Sequence, residues 1–330
     1  MKARRFIRTE RRRIEVQDFE ISPPGRGEVL VENEVTAVSP GTETWNYVHG
    51  AEPGRDPSFP IGSGYCGAGT VIEVGEGVEG LQIGDRVATQ GFHASHQCMD
   101  SHLTPIPDAT TWEDAVFLVM TGIAIRGVRR GEVQLGANVA VLGMGLVGQL
   151  AMSLSRLAGG SPLIALDLHD GRLQTAKQRG ADVIIAPKDI DDTAKQIRAF
   201  CESDGADVVI EATGNPAVYP MATAICRNGG KVVALGSPRG SVEMDFMRDV
   251  HLREVDIIGA FQPRTPDRQS PYYPWSRERD RRLLLKMMAD GRLIVADLIT
   301  HRCQPEQCQE IYEMLAERPL ESIGVVFQWR

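Results

Sequence analysis

The chain has 330 residues, a net charge of −8 at pH 7, 42% hydrophobic residues and 24% charged residues. A length of this order suggests about two globular domains, and the acidic balance disfavours nucleic acid or an anionic membrane as the main partner. No run reaches the roughly 18 apolar residues expected of a membrane span, and the cysteines, which form no Cys-x-x-Cys pair, predict reduced thiols in a cytoplasmic protein without a structural zinc lobe.

The first part of the chain is predicted to be rich in β-structure. The basic run from Lys2 to Arg13 is interrupted by Glu10 and lacks the apolar stretch of a cleavable leader, so we interpret it as a solvated strand or hairpin. Dense proline and glycine between Pro53 and Gly69 indicate loops over a compact, barrel-like domain. Three further segments have strand patterns: residues 28–35, 67–75 and 84–88.

From about residue 138, short apolar strands alternate with helices. The predicted strands are residues 139–142, 163–166, 183–185, 207–210 and 231–235, with predicted helices at 147–158, 171–179, 193–202 and 217–226. This alternation predicts a parallel sheet covered by helices on both faces. After a connection rich in proline, arginine and tyrosine, we expect a helix at 281–290, a strand at 293–300, a helix at 305–317 and a strand at 324–328 that returns to the first domain.

A glycine-rich turn marks a candidate dinucleotide site. The strand at 139–142 leads straight into Gly143-x-Gly145-x-x-Gly148 at the start of a helix, which is the context that a dinucleotide fingerprint requires. Gly143 suits a tight turn, Gly145 the close approach of a pyrophosphate, and Gly148 the packing of helix on strand. The helix N-terminus then offers free N–H groups to the phosphates.

Asp167 supplies the second half of this motif. It ends the next strand, 19 residues after Gly148, close to the spacing of about 20 expected for an acidic residue that binds a ribose. A carboxylate there accepts hydrogen bonds from the ribose hydroxyls and repels a 2′-phosphate, which favours NAD over NADP. The alternative is a solvated aspartate after a tight turn. Arg172 is interpreted as lying over the adenine or, alternatively, as a surface arginine.

These features resemble the medium-chain dehydrogenase/reductase superfamily, which is alcohol dehydrogenase-like. The match rests on residues 27–31, on 64–75 with 84–87, on the glycine motif with Asp167, and on 211–214 with 235–237. The resemblance implies an α/β fold: a Rossmann doubly wound parallel sheet (residues 126–265) inserted in a discontinuous GroES-like β-barrel catalytic domain (1–125 and 266–330), with substrate and nicotinamide in a cleft. It also implies cofactor contacts from the glycines and from Leu146, Val147, Thr121, Thr213, Gly236, Ser237 and Ala260.

The zinc ligands of many members are absent at the matching positions. Pro40 stands where relatives carry a cysteine, Tyr65 stands where they carry a histidine, and Phe117 falls at the third ligand position. Proline and phenylalanine cannot donate to zinc, so we predict no catalytic metal and interpret Cys66 as a small core residue. Residues 39–43 with Gly64-Tyr65 are similar to a zinc-lacking branch that includes bacteriochlorophyllide hydroxyethyl dehydrogenase.

Without a metal, side chains must accept the proton of the alcohol and stabilise the alkoxide. Thr42 matches the hydroxyl that relays a proton in relatives, and Tyr65 replaces a ligand histidine. His93 is our first candidate for the proton acceptor because imidazole titrates near neutrality. Each has a structural alternative: a hydroxyl that caps a turn, a packed aromatic ring and a structural histidine.

Substrate contacts are predicted for three residues. Glu43 could bind substrate hydroxyls or close a salt bridge, and Phe117 occupies the third ligand position. Tyr272 lies in the long connection, where it either shapes the pocket or packs in a surface aromatic cluster.

Three functional hypotheses follow. The first is an NAD-dependent dehydrogenase of a secondary alcohol on a sugar, polyol or natural-product intermediate, favoured by the polar residues Thr42, Glu43 and His93. The second is a reductase of activated C=C bonds, such as an enoyl or quinone reductase, against which Asp167 argues because such enzymes usually prefer NADP(H). The third is a non-catalytic NAD-binding relative. The resemblance further implies a homodimer.

Overall fold

The computed structural model describes residues 1–101, 103–271 and 273–330. The chain divides into two compact units, which we call the discontinuous unit (Met1–Met120 with Asp267–Arg330) and the inserted unit (Thr121–Pro266). The predicted domain limits differ from these units by five residues at the first boundary and by one at the second. In the part of the chain that the structure describes, no helix is long and apolar enough to cross a membrane.

The discontinuous unit begins with an antiparallel hairpin. Strand β1 (Lys2–Glu10) pairs with β2 (Arg13–Glu20) and, on its other side, with β4 (Ile61–Gly62). Buried Phe6 and Ile14 turn one face of the hairpin toward the core, whereas most of the arginines stay at the surface. The basic N-terminal run is therefore a hairpin, as predicted.

A larger sheet forms the body of this unit. Its strands are β3 (Glu28–Val38), β5 (Gly67–Val74), β6 (Arg86–Thr89), β7 (His96–Asp100), β8 (Thr104–Pro105), β15 (Ile299–Cys303) and β16 (Gly324–Gln328). The order is β15-β16-β3-β5-β6-β8, with β7 also on β3. Val325 pairs with Val38 in the antiparallel ladder between β16 and β3, so the C-terminal segment returns to the N-terminal sheet, as predicted.

Five helices border or continue this unit among the described residues. They are α1 (Pro40–His49), α2 (Trp112–Ala115), α3 (Leu118–Arg130), which runs on into the inserted unit, α9 (Arg277–Ala289) and α10 (Cys308–Glu317). Helix α1 is absent from the sequence prediction, although Pro40 at its first position and Gly50 directly after its end are standard helix boundaries.

The inserted unit is a parallel sheet with helices between its strands. Its strands are β9 (Val139–Leu142), β10 (Leu163–Leu166), β11 (Val183–Ile185), β12 (Ala206–Glu211), β13 (Cys226–Ala234) and β14 (Asp256–Gly259); its helices are α4 (Leu146–Leu157), α5 (Asp170–Gln178), α6 (Ile190–Cys201), α7 (Tyr219–Ile225) and α8 (Phe246–Asp249). The order β11-β10-β9-β12-β13-β14 is the doubly wound order, with its switch point between β9 and β12. The predicted fold class is confirmed.

One predicted strand is largely wrong. Residues 293–300 were expected to be extended, but residues 296–298 form a 3₁₀ turn and β15 begins only at Ile299. The backbone N–H groups of Val295 and Ala296 both donate to Asp114 Oδ1, each at 2.8 Å. A buried carboxylate therefore satisfies donors that a strand ladder would otherwise have used.

Candidate functional site

The glycine turn after β9 has the shape that a dinucleotide motif requires. Gly143 has a φ of +91°, and a Cβ there would lie 2.7 Å from Thr213 Cγ2. A Cβ on Gly148 would lie 1.8 Å from the carbonyl oxygen of Gly143. At Gly145 the space is open, since the nearest atom is Arg172 Nη1 at 3.9 Å. Packing thus demands glycine at the first and third positions and leaves room for a ligand at the second.

Asp167 is held beside this turn. Its Oδ2 accepts a hydrogen bond of 2.7 Å from the N–H of Met144, and its Oδ1 accepts one of 2.8 Å from the N–H of His169. The side chain of Arg172 is half-buried; burial lowers its guanidinium pKa, and the charge of Asp167 acts in the opposite direction. An anchored carboxylate and a nearby cation therefore flank the open space at Gly145.

The loops after β12 and β13 close the switch point. Thr213 N–H donates to Glu211 Oε1 at 2.6 Å, as does Gly214 N–H at 2.9 Å. Burial raises the pKa of Glu211, and these hydrogen bonds oppose that effect. A Cβ on Gly236 would lie 2.3 Å from Gly214 N, so the two loops are in close backbone contact.

The remaining predicted cofactor residues lie in the same inserted unit. Thr213 and Ser237 are exposed, Val147 is half-buried, and Leu146, Thr121 and Ala260 are buried. The side chains of the last three offer almost no surface to a ligand, so their predicted cofactor contacts would have to come from the backbone.

A cluster of hydroxyl groups lies at the start of α1 in the discontinuous unit. The Tyr65 hydroxyl donates to Ser39 Oγ and also hydrogen-bonds the side chain of Thr42. Burial raises the pKa of the Tyr65 phenol well above its usual value, so the phenol stays protonated at neutral pH. Tyr65 and Thr42 keep part of their surface exposed. This hydroxyl cluster (Ser39, Thr42 and Tyr65) can donate and relay a proton.

Glu43 lies behind the hydroxyl cluster with only 3% of its surface exposed. Its Oε1 accepts a hydrogen bond of 2.7 Å from the N–H of Ser39. Its Oε2 accepts from the Tyr312 hydroxyl, from Ser63 Oγ at 3.1 Å, and contacts His93 Nε2 at 3.0 Å. Burial acts to raise the pKa of Glu43, but His93 and the hydrogen bonds outweigh burial and hold it below its usual value. The carboxylate is therefore ionised and fully hydrogen-bonded.

His93 is fully buried, and both ring nitrogens are engaged. Nδ1 lies 2.7 Å from Thr36 Oγ1, and Nε2 is hydrogen-bonded to Glu43 Oε2 at 3.0 Å. Trp329 Nε1 donates to the same Thr36 oxygen at 2.9 Å. If the Thr36 hydroxyl donates to Nδ1 and Nε2–H donates to Glu43, every donor in this chain is used once. The side chain predicted as proton acceptor thus has no nitrogen left for a substrate, because its ring holds Glu43 in place.

The structure assigns a substrate contact to neither Phe117 nor Tyr272. Phe117 is fully buried just before α3, so its ring presents no surface to a substrate. Tyr272 lies outside the described residues. For Glu43, the third, the described contacts match the salt-bridge alternative, with His93 Nε2 3.0 Å from Oε2, and the buried carboxylate also accepts hydrogen bonds from Ser39, Ser63 and Tyr312.

The residues at the expected metal position do not fit zinc. Pro40 has no donor atom, and Tyr65 is hydrogen-bonded to Ser39. Cys66 is fully buried and is one thiol beside residues that cannot complete a tetrahedral zinc site. Across residues 1–101, 103–271 and 273–330, no group of three or more His, Cys, Asp or Glu side chains could hold a metal ion.

Two residues of the discontinuous unit were missed by the sequence analysis. Ser39 holds the Tyr65 phenol, and its place before Pro40 at a helix start was the available signal. Arg281 donates from Nη2 to Gln90 Oε1 at 2.8 Å. No motif marks it, because the contact joins α9 to a loop almost two hundred residues earlier.

The doubly wound unit, its glycine turn and its anchored aspartate define a dinucleotide-binding oxidoreductase fold. The chain matches the family described as alcohol dehydrogenase GroES-like domain over residues 25–106, and the family described as zinc-binding dehydrogenase over residues 147–275. These matches and the fold show that it belongs to the medium-chain dehydrogenase/reductase superfamily, which is zinc-type alcohol dehydrogenase-like.

Individual relatives cover most of the chain. A sorbitol dehydrogenase of Bacillus subtilis (strain 168) is 25% identical over 350 residues, covering 96% of this chain and 94% of the relative. A D-guloside 3-dehydrogenase of Escherichia coli (strain K12) is 28% identical over 269 residues, covering 78% and 75%. A solved structure, an oxidoreductase/dehydrogenase of unknown specificity involved in membrane biogenesis from Escherichia coli, has a TM-score of 0.87 at 22% identity and covers 99% of both chains.

Proposed function

We propose that the protein is a zinc-independent dehydrogenase that transfers a hydride between NAD(H) and a secondary alcohol or ketone on a polyhydroxylated substrate. The observation that carries this proposal is Asp167, whose carboxylate is fixed by two backbone N–H groups beside the open space at Gly145. The names of the relatives, which act on sorbitol and on a D-guloside, support an alcohol substrate with several hydroxyls.

The cofactor proposal is NAD rather than NADP. Both oxygens of Asp167 already accept one hydrogen bond each, and each carboxylate oxygen has a second lone pair for a ribose hydroxyl. A 2′-phosphate brought to the same carboxylate would meet like charge. The glycines, with Leu146 and Val147, would hold the pyrophosphate at the start of α4, and Thr213, Gly236, Ser237, Ala260, Thr121 and Arg172 are proposed to complete the site.

In this proposal the hydroxyl cluster transfers the proton to or from the substrate oxygen, a step that a metal ion would otherwise assist by polarising that oxygen. Bound NADH supplies the hydride to the carbonyl carbon. Tyr65, kept protonated by burial, would turn its single O–H from Ser39 Oγ to the carbonyl oxygen and donate that proton there. Thr42, which is partly exposed, would take up a proton from solvent and pass one of its own, directly or through Ser39, to the phenolate. Oxidation runs the same transfers in reverse. His93 acts only as a positioning residue in this scheme, because both of its nitrogens are engaged.

A second candidate is a reductase of activated C=C bonds. The protonated phenol of Tyr65 favours it, because such a group also suits proton donation to an enolate. The two candidates differ in the cofactor they call for, since Asp167 disfavours NADPH.

The test is a titration of chelator-treated protein with NADH and with NADPH, followed by nicotinamide fluorescence, with metal content and sorbitol or D-guloside oxidation measured on the same preparation. We expect tight NADH binding, weak NADPH binding and turnover without zinc. Preference for NADPH would move the reductase forward, stoichiometric zinc with chelator-sensitive turnover would remove the metal-free scheme, and NADH binding with no turnover of either class would favour a non-catalytic relative.

A further inference from the structure

A buried side-chain amide joins the glycine turn to the helix that carries Arg172. Gln149 directly follows Gly148 in α4 and is fully buried. Its Nε2 donates to the carbonyl oxygen of Arg172 at 2.9 Å and to that of Met144 at 3.3 Å. An amide NH2 has two hydrogens, so it can donate one to each of these oxygens. One side chain therefore holds together two backbone segments from different parts of the inserted unit.

The first of these segments is the glycine turn itself. Met144 lies between Gly143 and Gly145, and its peptide is held at both ends. Its N–H donates to Asp167 Oδ2 at 2.7 Å, and its carbonyl oxygen accepts the hydrogen bond from Gln149. The backbone of such a turn is the part that a pyrophosphate approaches. The amide of Gln149 therefore acts on the segment that a dinucleotide would contact.

The second segment is the first turn of α5, which carries Arg172. The side chain of Arg172 flanks the open space at Gly145, because its Nη1 lies 3.9 Å from the position that a Cβ on Gly145 would take. Asp167 borders the same space through its bond to Met144. The hydrogen bond from Gln149 fixes the backbone from which the Arg172 side chain starts. The amide thus helps to set the separation between this carboxylate and this cation.

The oxygen of the same amide indicates that its two donors explain the glutamine. Gln149 Oε1 is buried and accepts no hydrogen bond from the residues that the structure describes. Turning the amide over would set this oxygen against two carbonyl oxygens, so its partners fix its orientation. A buried acceptor without a donor costs free energy, and a methionine would fill a similar volume without that cost. What glutamine adds is the pair of hydrogen bonds to Met144 and Arg172.

We propose that Gln149 is a positioning residue for the adenosine half of the dinucleotide, acting through the backbone of Met144 and Arg172. The inference rests on the proposed cofactor site, but not on the substrate or on the choice between NAD and NADP. The adenosine half is the one concerned, because Asp167 is proposed to bind its ribose and Arg172 flanks the same space. The loops after β12 and β13, proposed for the nicotinamide half, receive no hydrogen bond from the described Gln149 side chain.

The experiment compares ligands that carry one half of the dinucleotide. Isothermal titration calorimetry on the full chain would use AMP, NADH and reduced nicotinamide mononucleotide. We expect Gln149→Met to weaken AMP and NADH binding by about tenfold, the factor to which one net hydrogen bond corresponds, and to leave the mononucleotide unaffected. Ser155→Ala is the matched control. Ser155 is also fully buried in α4, and its Oγ donates to the Ala151 carbonyl oxygen at 2.8 Å, so S155A loses a buried hydrogen bond outside the turn and should keep all three affinities.

Three results would overturn the proposal: unchanged AMP binding in Q149M, an equal loss for the mononucleotide, or an equal loss in S155A. If Q149M does not fold, Gln149→Asn keeps an amide that is one methylene shorter, and it must show the same difference between the two halves. The effect of Q149M on AMP binding should also be smaller when Arg172 is already alanine, and an undiminished effect counts against action through Arg172. Absence of NADH binding by the unmodified protein would instead overturn the proposed function, whereas NADH binding with normal AMP binding in Q149M would remove only the role of Gln149.

Discussion

The two units hold their candidate sites by different physical means. In the inserted unit, the shape of the backbone forms the candidate site. Glycine is needed at positions 143 and 148 because a Cβ there would clash with backbone or side-chain atoms. In the discontinuous unit, hydrogen bonds to a buried side chain hold the candidate site. Glu43 is surrounded by hydroxyl, imidazole and backbone amide groups from separate parts of the chain. A site held by backbone shape leaves a local motif in the sequence, whereas a site held by buried side chains does not.

The largest effect is expected from Gly148→Ala. The new Cβ would lie 1.8 Å from the oxygen of Gly143, and neither group can rotate away because both are backbone. We expect the free energy of unfolding to fall by about 3 kcal/mol, measured by urea denaturation. In Gly145→Ala the space is open, so stability should stay within about 1 kcal/mol while NADH binding weakens. Equal stability of the two variants would contradict the distinction between a packing glycine and a ligand glycine.

Glu43→Gln tests the other unit. In Glu43→Gln the side-chain NH2 of glutamine would face groups that donate hydrogen bonds to the carboxylate of Glu43. We therefore expect the free energy of unfolding to fall by about 3 kcal/mol near neutral pH. Because the folded-state pKa of Glu43 is lowered, its stabilisation is present above its usual value near 4.5 and is lost as pH falls through the folded pKa. The stability difference between the two proteins should therefore shrink on acidification. A difference that grows at low pH would mean that Glu43 is protonated in the native protein.

Tyr65→Phe separates chemistry from packing in the hydroxyl cluster. The ring volume is kept and only the phenol is removed, so the melting temperature should change little while kcat falls by about 100-fold, the range of a positioned proton donor. His93→Gln is the converse control. It should lower the melting temperature, because His93 is buried and hydrogen-bonded at both ring nitrogens. Full activity in Y65F would return the proton role to another group.

Asp167→Asn gives the smallest expected effect in this series. Removing the charge should lower the ratio of NADH to NADPH affinity by about tenfold, since a charge-assisted hydrogen bond and a repulsion are both lost. Asp170→Asn is the control, because Asp170 is exposed in the first turn of α5, where its Oδ1 accepts a hydrogen bond from Gln174. The measurement is nicotinamide fluorescence with both cofactors, and an unchanged ratio in D167N would remove the basis for the NAD proposal.

The sequence was sufficient to predict features that depend on residues close together in the chain. Strands β9, β10, β11 and β16 were predicted at their observed limits because each is a short apolar run bounded by turns. The edge strand β14 was missed although it contains Ile257 and Ile258, because it is only four residues long and begins and ends with the strand-poor residues Asp256 and Gly259. The role of His93 was beyond prediction, because it depends on Thr36 and Trp329, which are 57 and 293 positions from their partners in the chain of hydrogen bonds.

The hydrogen bond from Trp329 to Thr36 has a consequence for synthesis on the ribosome. The inserted unit is continuous in sequence, from Thr121 to Pro266, so all of its residues are synthesised before the second part of the discontinuous unit. The hydrogen bonds that hold His93 and Glu43 include a donor at residue 329, so they cannot close until translation has passed that position. At about 5–20 residues per second, about ten seconds or more pass between the synthesis of the hydroxyl cluster and that of β16. During that interval the edge of β3 with which β16 later pairs is open.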